Sequence, residues 1–405
     1  MGKLNMAAVF LMLMFVSISE ALVVDISKHG ARQNADIAQA LTEAFKEACA
    51  STTESKILIP EGTYKLSAVK LLGPCKAPIE IQVQATLIAS TEKITEPCWV
   101  SFNHIDNLTV SGGGVFDGQG PRVWGKCGKT KYCKSLPIVC FVQSFLLKLE
   151  FCNLCFNFIK GGLVQGVTSK DSRQFHVNVI GCTDLHFVRF TISAPHESIN
   201  TDGIHIGRST GIKVLDSNIK TGDDCVSLGD GSQQITIERV TCGPGHGFSI
   251  GSLGKYQDEA PVIGVTIRNC TLTNTTNGVR IKTWPASHEG VASDMHFEDI
   301  IMNHVENPVL IDQVYCPWNQ CNTKLPSKVK ISKVTFKNIR GTSSTPVAVK
   351  LSCSPGHPCQ SVELSNIDLT YTGMEAPAAI SQCGHVQPKV SGRMNPKACT
   401  AAVAP

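Results

Sequence analysis

Short stretches of alternating apolar and polar residues recur along most of this chain, about 20–30 residues apart, with Gly, Asn and Asp between them. One such unit cannot bury its apolar face alone, so a sustained repeat predicts a solenoid whose stacked coils share a continuous core. Because no helices separate the strands, we predict an all-β fold, a single-stranded right-handed parallel β-helix of about ten coils. A β-sandwich is the competing fold, but it does not account for a fixed interval. The aligned stretches are 185–192, 212–219, 235–241, 265–272, 295–302, 329–336 and 362–369.

The segment Ala38–Ala50 has helical periodicity instead, with Leu41, Phe45 and Ala48 on one face. We interpret it as a short helix cap over the N-terminal end of the core. Residues 22–100 look mixed as a whole, and the regular repeat is expected to begin near residue 104.

A second regularity concerns acidic residues, because Asp202, Asp224 and His246 follow one another at intervals of 22 residues. In coils of that length these side chains would stack on one surface, with Asp202 and Asp224 about 5 Å apart. Carboxylates at that separation repel by about 3 kcal/mol, or about two pKa units, so one of them should stay protonated in mild acid. Asp223 would point the other way on a regular strand, and we expect Gly222 to permit a bend that brings it round.

Such a cluster suggests acid–base chemistry, although a single Asp in a turn can also cap backbone N–H groups. Arg280 and Lys282 are two positions apart, so on a strand both would point outward. Beside a carboxylate cluster they suit an anionic sugar, or they form a salt bridge that merely balances the aspartates. His246, between two glycines, could hydrogen-bond the acid or the substrate.

Residues 1–21 have the basic start, apolar centre and small-x-small end of a secretory signal peptide, so we predict a secreted protein with a mature domain at 22–405. All 18 cysteines follow this segment, which suggests several disulfides formed in an oxidising compartment. The sequons at Asn107, Asn269 and Asn274 fit a glycosylated secreted chain.

Composition also argues against several partners. The formal charge of +4 is a mild bias towards anionic partners, but there is no basic run of the kind that nucleic-acid binding needs. The apolar run near the start is too short for a membrane span. No EF-hand spacing occurs, and Cys152-x-x-Cys155 has no second ligand pair, so we predict neither a metal nor another cofactor. We expect a monomer.

Four blocks in order carry a specific resemblance: NTDGIHI at 200–206, GDDC at 222–225, GHGFSIGSLG at 245–254 and RIKTW at 280–284. They resemble the signature blocks of polygalacturonases, the family 28 glycoside hydrolases, and most closely the plant pollen-type members. The resemblance covers about residues 23–399. It implies a β-helix enzyme of the extracellular space and cell wall that hydrolyses α-1,4-linked galacturonan without a cofactor, usually from the non-reducing end of the chain.

The resemblance also implies roles for single residues. Asp223 resembles the general acid, and Asp202 with Asp224 resembles the pair that holds and deprotonates water, with His246 beside them. Arg280, Lys282 and Tyr315 resemble groups that contact the bound sugar, and Asn200 would contact it or orient Asp202. His205 and His176 are as readily structural as functional. These roles imply inversion, whereas carboxyls about 5 Å apart would ordinarily indicate retention.

One segment departs from the family. Family members join residues like 135–138 almost directly to residues like 153–159, but here 139–152 intervenes, dense in Phe, Leu and Cys. Cys155 also stands where a basic residue is usual. We treat 139–152 as an atypical insertion, either a buried strand pair, a late insertion or an artefact of gene prediction.

Three other functions stay open. An endo-acting enzyme of the same fold would release a ladder of oligomers. A pectate lyase also uses a β-helix but needs calcium. A non-catalytic wall-binding or allergen-like protein would bind polygalacturonate without cleaving it.

Overall fold

The computed structural model describes residues 21–90, 97–124, 152–317 and 319–399. Within these ranges the strands form two parallel sheets of 21 and 11 strands, here called the wide sheet and the narrow sheet. Each coil contributes one strand to the narrow sheet, so the predicted parallel β-helix is confirmed, with 11 coils crossing that sheet. None of the helices in the described ranges is long and apolar enough to cross a membrane.

The strands are numbered in chain order. The narrow sheet contains β4 (Val69–Leu72), β7 (Cys98–Asn103), β10 (Cys152–Asn157), β13 (Val177–Ile180), β16 (Ile204–Gly207), β19 (Val226–Leu228), β22 (Phe248–Leu253), β25 (Asn277–Thr283), β27 (Asn307–Asp312), β29 (Val347–Ser352) and β31 (Ile380–Gly384). The wide sheet contains β1 (Leu22–Asp25), β2 (Ser55–Ile59), β3 (Thr63–Leu66), β5 (Ile79–Val83), β6 (Thr86–Ala89), β8 (Asp106–Ser111), β9 (Val115–Asp117), β11 (Lys160–Gln165), β12 (Thr168–Lys170), β14 (Thr183–Val188), β15 (Thr191–Ser193), β17 (Lys213–Leu215), β18 (Asn218–Lys220), β20 (Gln233–Glu238), β21 (Thr241–Cys242), β23 (Val262–Arg268), β24 (Thr271–Thr273), β26 (Gly290–Val305), β28 (Val329–Ser343), β30 (Gln360–Tyr371) and β32 (Lys389–Asn395). The helices are a 3₁₀ turn at Ile26–His29, α1 (Ala38–Ala50) and α2 (Pro121–Trp124).

Several stretches expected to be single strands are in fact two strands joined by a bend. The bends contain Arg189, Asp216 and Arg239, each with a φ between 50° and 55°. The strand register stacks these three residues in successive coils. The alternation shifts phase at each bend, since buried Phe187 is followed by buried Phe190 and buried Ile237 by buried Val240.

The core is continuous along the axis, and α1 covers its N-terminal end as predicted. Leu41, Phe45 and Ala48 are buried in the same cluster as the strand residues. The expectation that regular coils begin near residue 104 was wrong, because β1–β9 already stack in parallel from Leu22 onwards.

Six disulfides lie within the described residues, as the cysteine content suggested, and Cys152, Cys182 and Cys270 are free and buried. Cys155 of β10 is bonded to Cys98 of the neighbouring strand β7. Of the atypical insertion, only Cys152 is described, as the first residue of β10. Residues 139–151 lie outside the described ranges, and so do residues 1–20 of the expected signal peptide.

Candidate active site

The 22-residue interval corresponds to the register of the narrow sheet. Ile204 of β16 pairs with Val226 of β19, which pairs with Phe248 of β22. The residues two positions before each of these, Asp202, Asp224 and His246, therefore stack in three successive coils, as the interval predicted.

The turns that carry the aspartates are held together by Thr201 and Gly222. Thr201 Oγ1 accepts hydrogen bonds from the Gly222 N–H at 3.0 Å and from the Thr221 hydroxyl at 2.9 Å. A Cβ on Gly222 would lie 1.9 Å from the backbone oxygen of Ser198. Gly222 does not adopt a positive φ. The expectation that it permits a special bend is thus corrected: glycine is needed there because the neighbouring coil leaves no space.

Asp224 is the most buried of the three acids and is held ionised. Lys282 Nζ donates to one oxygen at 2.7 Å, while Arg280 Nη2 and the Ser249 hydroxyl donate to the other, each at 2.8 Å. Burial alone would raise the pKa of Asp224, but the charges of Lys282 and Arg280 outweigh it and hold that pKa far below its ordinary value. The salt bridge anticipated from the sequence is therefore present.

Asp202 has the opposite character. It is 8% exposed and accepts one hydrogen bond from the Ser227 hydroxyl at 2.8 Å. Burial, together with the negative charges of Asp223 and Asp224, raises the pKa of Asp202 well above its ordinary value. The proton that carboxylate repulsion predicts is thus held at Asp202.

Asp223 is the carboxylate that solvent reaches most readily, since its side chain is 22% exposed against 1% for Asp224. Its Oδ1 accepts hydrogen bonds from His246 Nδ1 at 2.9 Å and from the Asp224 N–H at 2.8 Å. Burial would lower the pKa of His246, but the hydrogen bond to Asp223 outweighs it and raises that pKa. The raised pKa favours the protonated form of His246 next to the accessible Asp223.

Sequence reasoning missed a column of side chains that supports the aspartates. His205, Ser227 and Ser249 are also 22 residues apart, and the register stacks them with Arg280. His205 Nδ1 lies 2.8 Å from the Ser227 oxygen, and Arg280 Nε lies 3.0 Å from the Ser249 oxygen. Ser227 thus links Asp202 to His205, and Ser249 links Asp224 to Arg280. The same interval applied to the serines would have found them.

This column also clarifies the role of His205. Burial and the charge of Lys282 lower the pKa of His205 to about 4, so the ring is neutral in mild acid. When Asp202 is ionised, Ser227 gives its only proton to that carboxylate, and its oxygen accepts from His205 Nδ1–H. The histidine therefore orients the serine that holds Asp202.

Tyr315 lies at the site as expected, with its ring centroid 5.1 Å from Lys282 Nζ and 5.8 Å from Arg280 Cζ. Asn200 precedes the Asp202 turn at a φ of 54°, but within the described residues it makes no hydrogen bond to Asp202. Its Nδ2 is buried and has no hydrogen-bond partner among the described residues. The expectation that Asn200 orients Asp202 is therefore not supported, whereas a substrate contact remains open to it.

His176 belongs to the core. It is fully buried, its Nδ1 lies 2.9 Å from the Ser169 hydroxyl, and burial lowers its pKa to about 3. Its backbone N–H donates to the Asp202 carbonyl at 2.8 Å. This favours a structural role that fixes the backbone of the Asp202 turn.

Two described clusters have the composition of a metal site. Asp223, Asp224 and His246 offer atoms within 4.8 Å of one another. However, both Asp224 oxygens are paired with cations and His246 is bonded to Asp223, so these donors are committed to ion pairs. In the second cluster, Cys98 and Cys155 form a disulfide and offer no thiolate.

Comparison with known proteins gives a consistent result. A family model described as glycosyl hydrolases family 28 matches residues 49–392. The chain is 52% identical over 406 residues to a polygalacturonase of Nicotiana tabacum, covering 99% of this chain and 98% of the relative. It is 51% identical over 374 residues to an exopolygalacturonase of Oenothera organensis, covering 91% of this chain and 99% of the relative. Its fold is similar to that of an endo-xylogalacturonan hydrolase from Aspergillus tubingensis, with a TM-score of 0.77 and 22% identity, over 91% of this chain and 96% of the other.

Proposed function

Because the chain belongs to glycosyl hydrolase family 28, we propose that it hydrolyses the α-1,4-galacturonosyl linkages of polygalacturonate. One observation carries the proposal: three carboxylates with different hydrogen-bond partners and different exposure meet on one face with two cations. Asp202 tends to hold a proton, Asp224 is held ionised, and Asp223 is accessible and bonded to His246. Hydrolysis of a glycosidic bond needs an acid and a base placed in one cleft, and this set supplies both.

Asp223 acts as the general acid in this proposal. The acid must reach the glycosidic oxygen, and Asp223 has the most exposed side chain of the three. His246 replenishes the proton through their 2.9 Å hydrogen bond. Protonation of the leaving oxygen then breaks the bond between that oxygen and the anomeric carbon.

Asp202 and Asp224 hold the attacking water. Asp224 stays ionised and accepts one hydrogen bond from the water. Asp202, when ionised, is the stronger base because burial and its neighbours raise its pKa, so it takes the water's proton. Attack on the face opposite the leaving group inverts the anomeric centre. Measuring the first-formed anomer by NMR tests this step, since a product that retains the original configuration would contradict it.

The cations favour an anionic sugar. Arg280 and Lys282 form their described ion pairs with the single carboxylate of Asp224, which leaves a local surplus of cations over paired carboxylates beside the accessible Asp223. Tyr315 lies over both cations and closes that side of the site. The uronate carboxylate would be attracted to this surplus, and the unpartnered Nδ2 of Asn200 would donate to the bound sugar.

We further propose exo action from the non-reducing end and secretion to the cell wall as a glycosylated monomer. Exo action is supported by relatives named exopolygalacturonase. Secretion is supported by the signal-like residues 1–21, and glycosylation by the exposure of Asn107, Asn269 and Asn274.

A timed digest of polygalacturonate with product sizing tests the activity. Monomer alone at early times is the expected result, whereas a ladder of oligomers would indicate endo action. Activity should persist in excess chelator, which would stop a calcium-dependent lyase. Binding without any product would contradict the proposal and favour the wall-binding alternative.

A further inference from the structure

A row of side chains leads away from the catalytic face along the end of β25. Lys282 Nζ, which is bonded to Asp224, lies 5.1 Å from the centre of the Tyr315 ring. That ring makes an edge contact with the indole of Trp284, at 5.6 Å between centroids. Trp284 comes directly after β25, so this row of contacts extends past the end of the strand.

Beyond this row lies a pocket of about 320 Å³, here called the Trp284 pocket. Its lining includes Lys255, Trp284, His288, Gln320 and Asn322. None of the described lining residues is acidic, so the pocket combines one cation and an aromatic ring with two amide side chains. This composition fits an anionic sugar, because sugars present hydroxyl groups at the rim and an apolar face to an aromatic ring.

The loop that carries Lys255 is held in place by three hydrogen bonds. The Glu259 carboxylate accepts the Gly254 N–H at 2.5 Å and the Tyr256 N–H at 3.0 Å, on either side of Lys255. The His288 N–H donates to the Gly254 carbonyl at 2.8 Å. The Lys255 ammonium lies 5.0 Å from the Trp284 ring centroid and 5.6 Å from that of Tyr256. The positive charge is therefore placed over two aromatic faces rather than at the end of a free side chain.

We propose that the Trp284 pocket is a second uronate-binding site, which holds a sugar of the polygalacturonate chain beyond those at the aspartates. Lys255 pairs with the carboxylate of that sugar, the Trp284 ring packs against its apolar face, and Gln320 and Asn322 hydrogen-bond its hydroxyls. This inference rests on the proposed function and deepens it. Every sugar of the polymer brings its own carboxylate, and Arg280 and Lys282 serve only the part of the chain next to Asp224.

The test compares a long substrate with one too short to reach the pocket. For Lys255→Gln we expect the KM on polygalacturonate to rise about tenfold, the loss of one charge-assisted hydrogen bond, with kcat within about twofold. On digalacturonate, the substrate too short to reach the pocket, the increase in KM should be several-fold smaller. Lys255→Arg should restore most of the affinity for the polymer. Lys220→Gln, the same charge change at an exposed position of β18, should change the KM for neither substrate.

A measurement on the unmutated protein needs no variant. Its KM should fall markedly once an oligogalacturonate is long enough to extend from the aspartates into the Trp284 pocket. If Lys255→Gln behaves like Lys220→Gln, or raises the KM for both substrates equally, the inference is overturned while the proposed function stands. If the unmutated protein does not cleave polygalacturonate, the proposed function fails first.

Discussion

Lys282 Nζ donates to Asp224 Oδ2 across 2.7 Å, although the two residues are 58 positions apart in the chain. Both side chains are almost fully buried, and Arg280 occupies the other oxygen of the same carboxylate. Because a charge in such a place is tolerated only when it is paired, this contact ties the stability of the fold to the chemistry of the site.

Lys282→Met should reduce the free energy of unfolding at pH 7 by about 2 kcal/mol, since Asp224 then keeps only one of its two described ion-pair partners, Arg280. The depressed pKa of Asp224 contributes stability that is present above the unfolded value near 4 and lost as the pH falls through the folded value. In the variant that lacks Lys282, burial favours the protonated carboxyl of Asp224. The loss in the free energy of unfolding should therefore be smaller at pH 4 than at pH 7. Urea unfolding at both pH values measures this.

Lys389→Met is the matched control, because Lys389 pairs with Glu363 on the exposed surface. It should change stability by no more than about 0.5 kcal/mol. Equal stabilities of the two variants at pH 7 would show that the buried pair does not support the fold.

Ser227→Ala should move the acid limb of the kcat/KM profile upward by about one pH unit. The Ser227 hydroxyl stabilises the ionised form of Asp202, so its removal raises the pKa of Asp202 further. Activity in this mechanism needs ionised Asp202 and is lost as the pH falls through that pKa. Ser249→Ala is the control, since Lys282 and Arg280 keep Asp224 ionised without Ser249. If the acid limb of the kcat/KM profile does not shift in Ser227→Ala, Asp202 is excluded as the base.

Gly222→Ala should cost about 3 kcal/mol of stability and most of the activity, because its Cβ would lie 1.9 Å from the Ser198 oxygen. The turns that carry Asp202 and Asp223 would be pushed apart. Gly384→Ala in β31 is the comparison, as no atom of the residues that the structure describes lies within 4 Å of its added Cβ. Thermal unfolding of the two variants should differ clearly, and similar melting temperatures would contradict the close approach of these coils.

The stack of Asp202, Asp224 and His246 could be predicted from the sequence because the two intervals between their successive coils are both 22 residues. A salt bridge between the cations and the aspartates was also anticipated, but the register that brings Arg280 to Asp224 could not be predicted. Ser249 pairs with Arg280, 31 residues later, because the loop between β22 and β23 lengthens that coil. Loop length does not appear in a strand pattern, so the register of β25 had to come from the structure.

The supporting serines were predictable but overlooked, because a hydroxyl between two strands looks structural until its acceptor is known. Likewise, nothing in the spacing of Lys255 and Trp284 indicates that they meet. Their contact depends on how Glu259 folds the loop after β22.

The central claim is that Asp223 delivers the proton that breaks the glycosidic bond, and the turnover of Asp223→Asn on polygalacturonate tests it most directly. The account predicts a fall in kcat of about 10³-fold with the polymer still bound. Asp216→Asn, at an exposed surface pair with Arg239, should keep full turnover. A kcat for Asp223→Asn within about tenfold of the unmutated value would contradict the account.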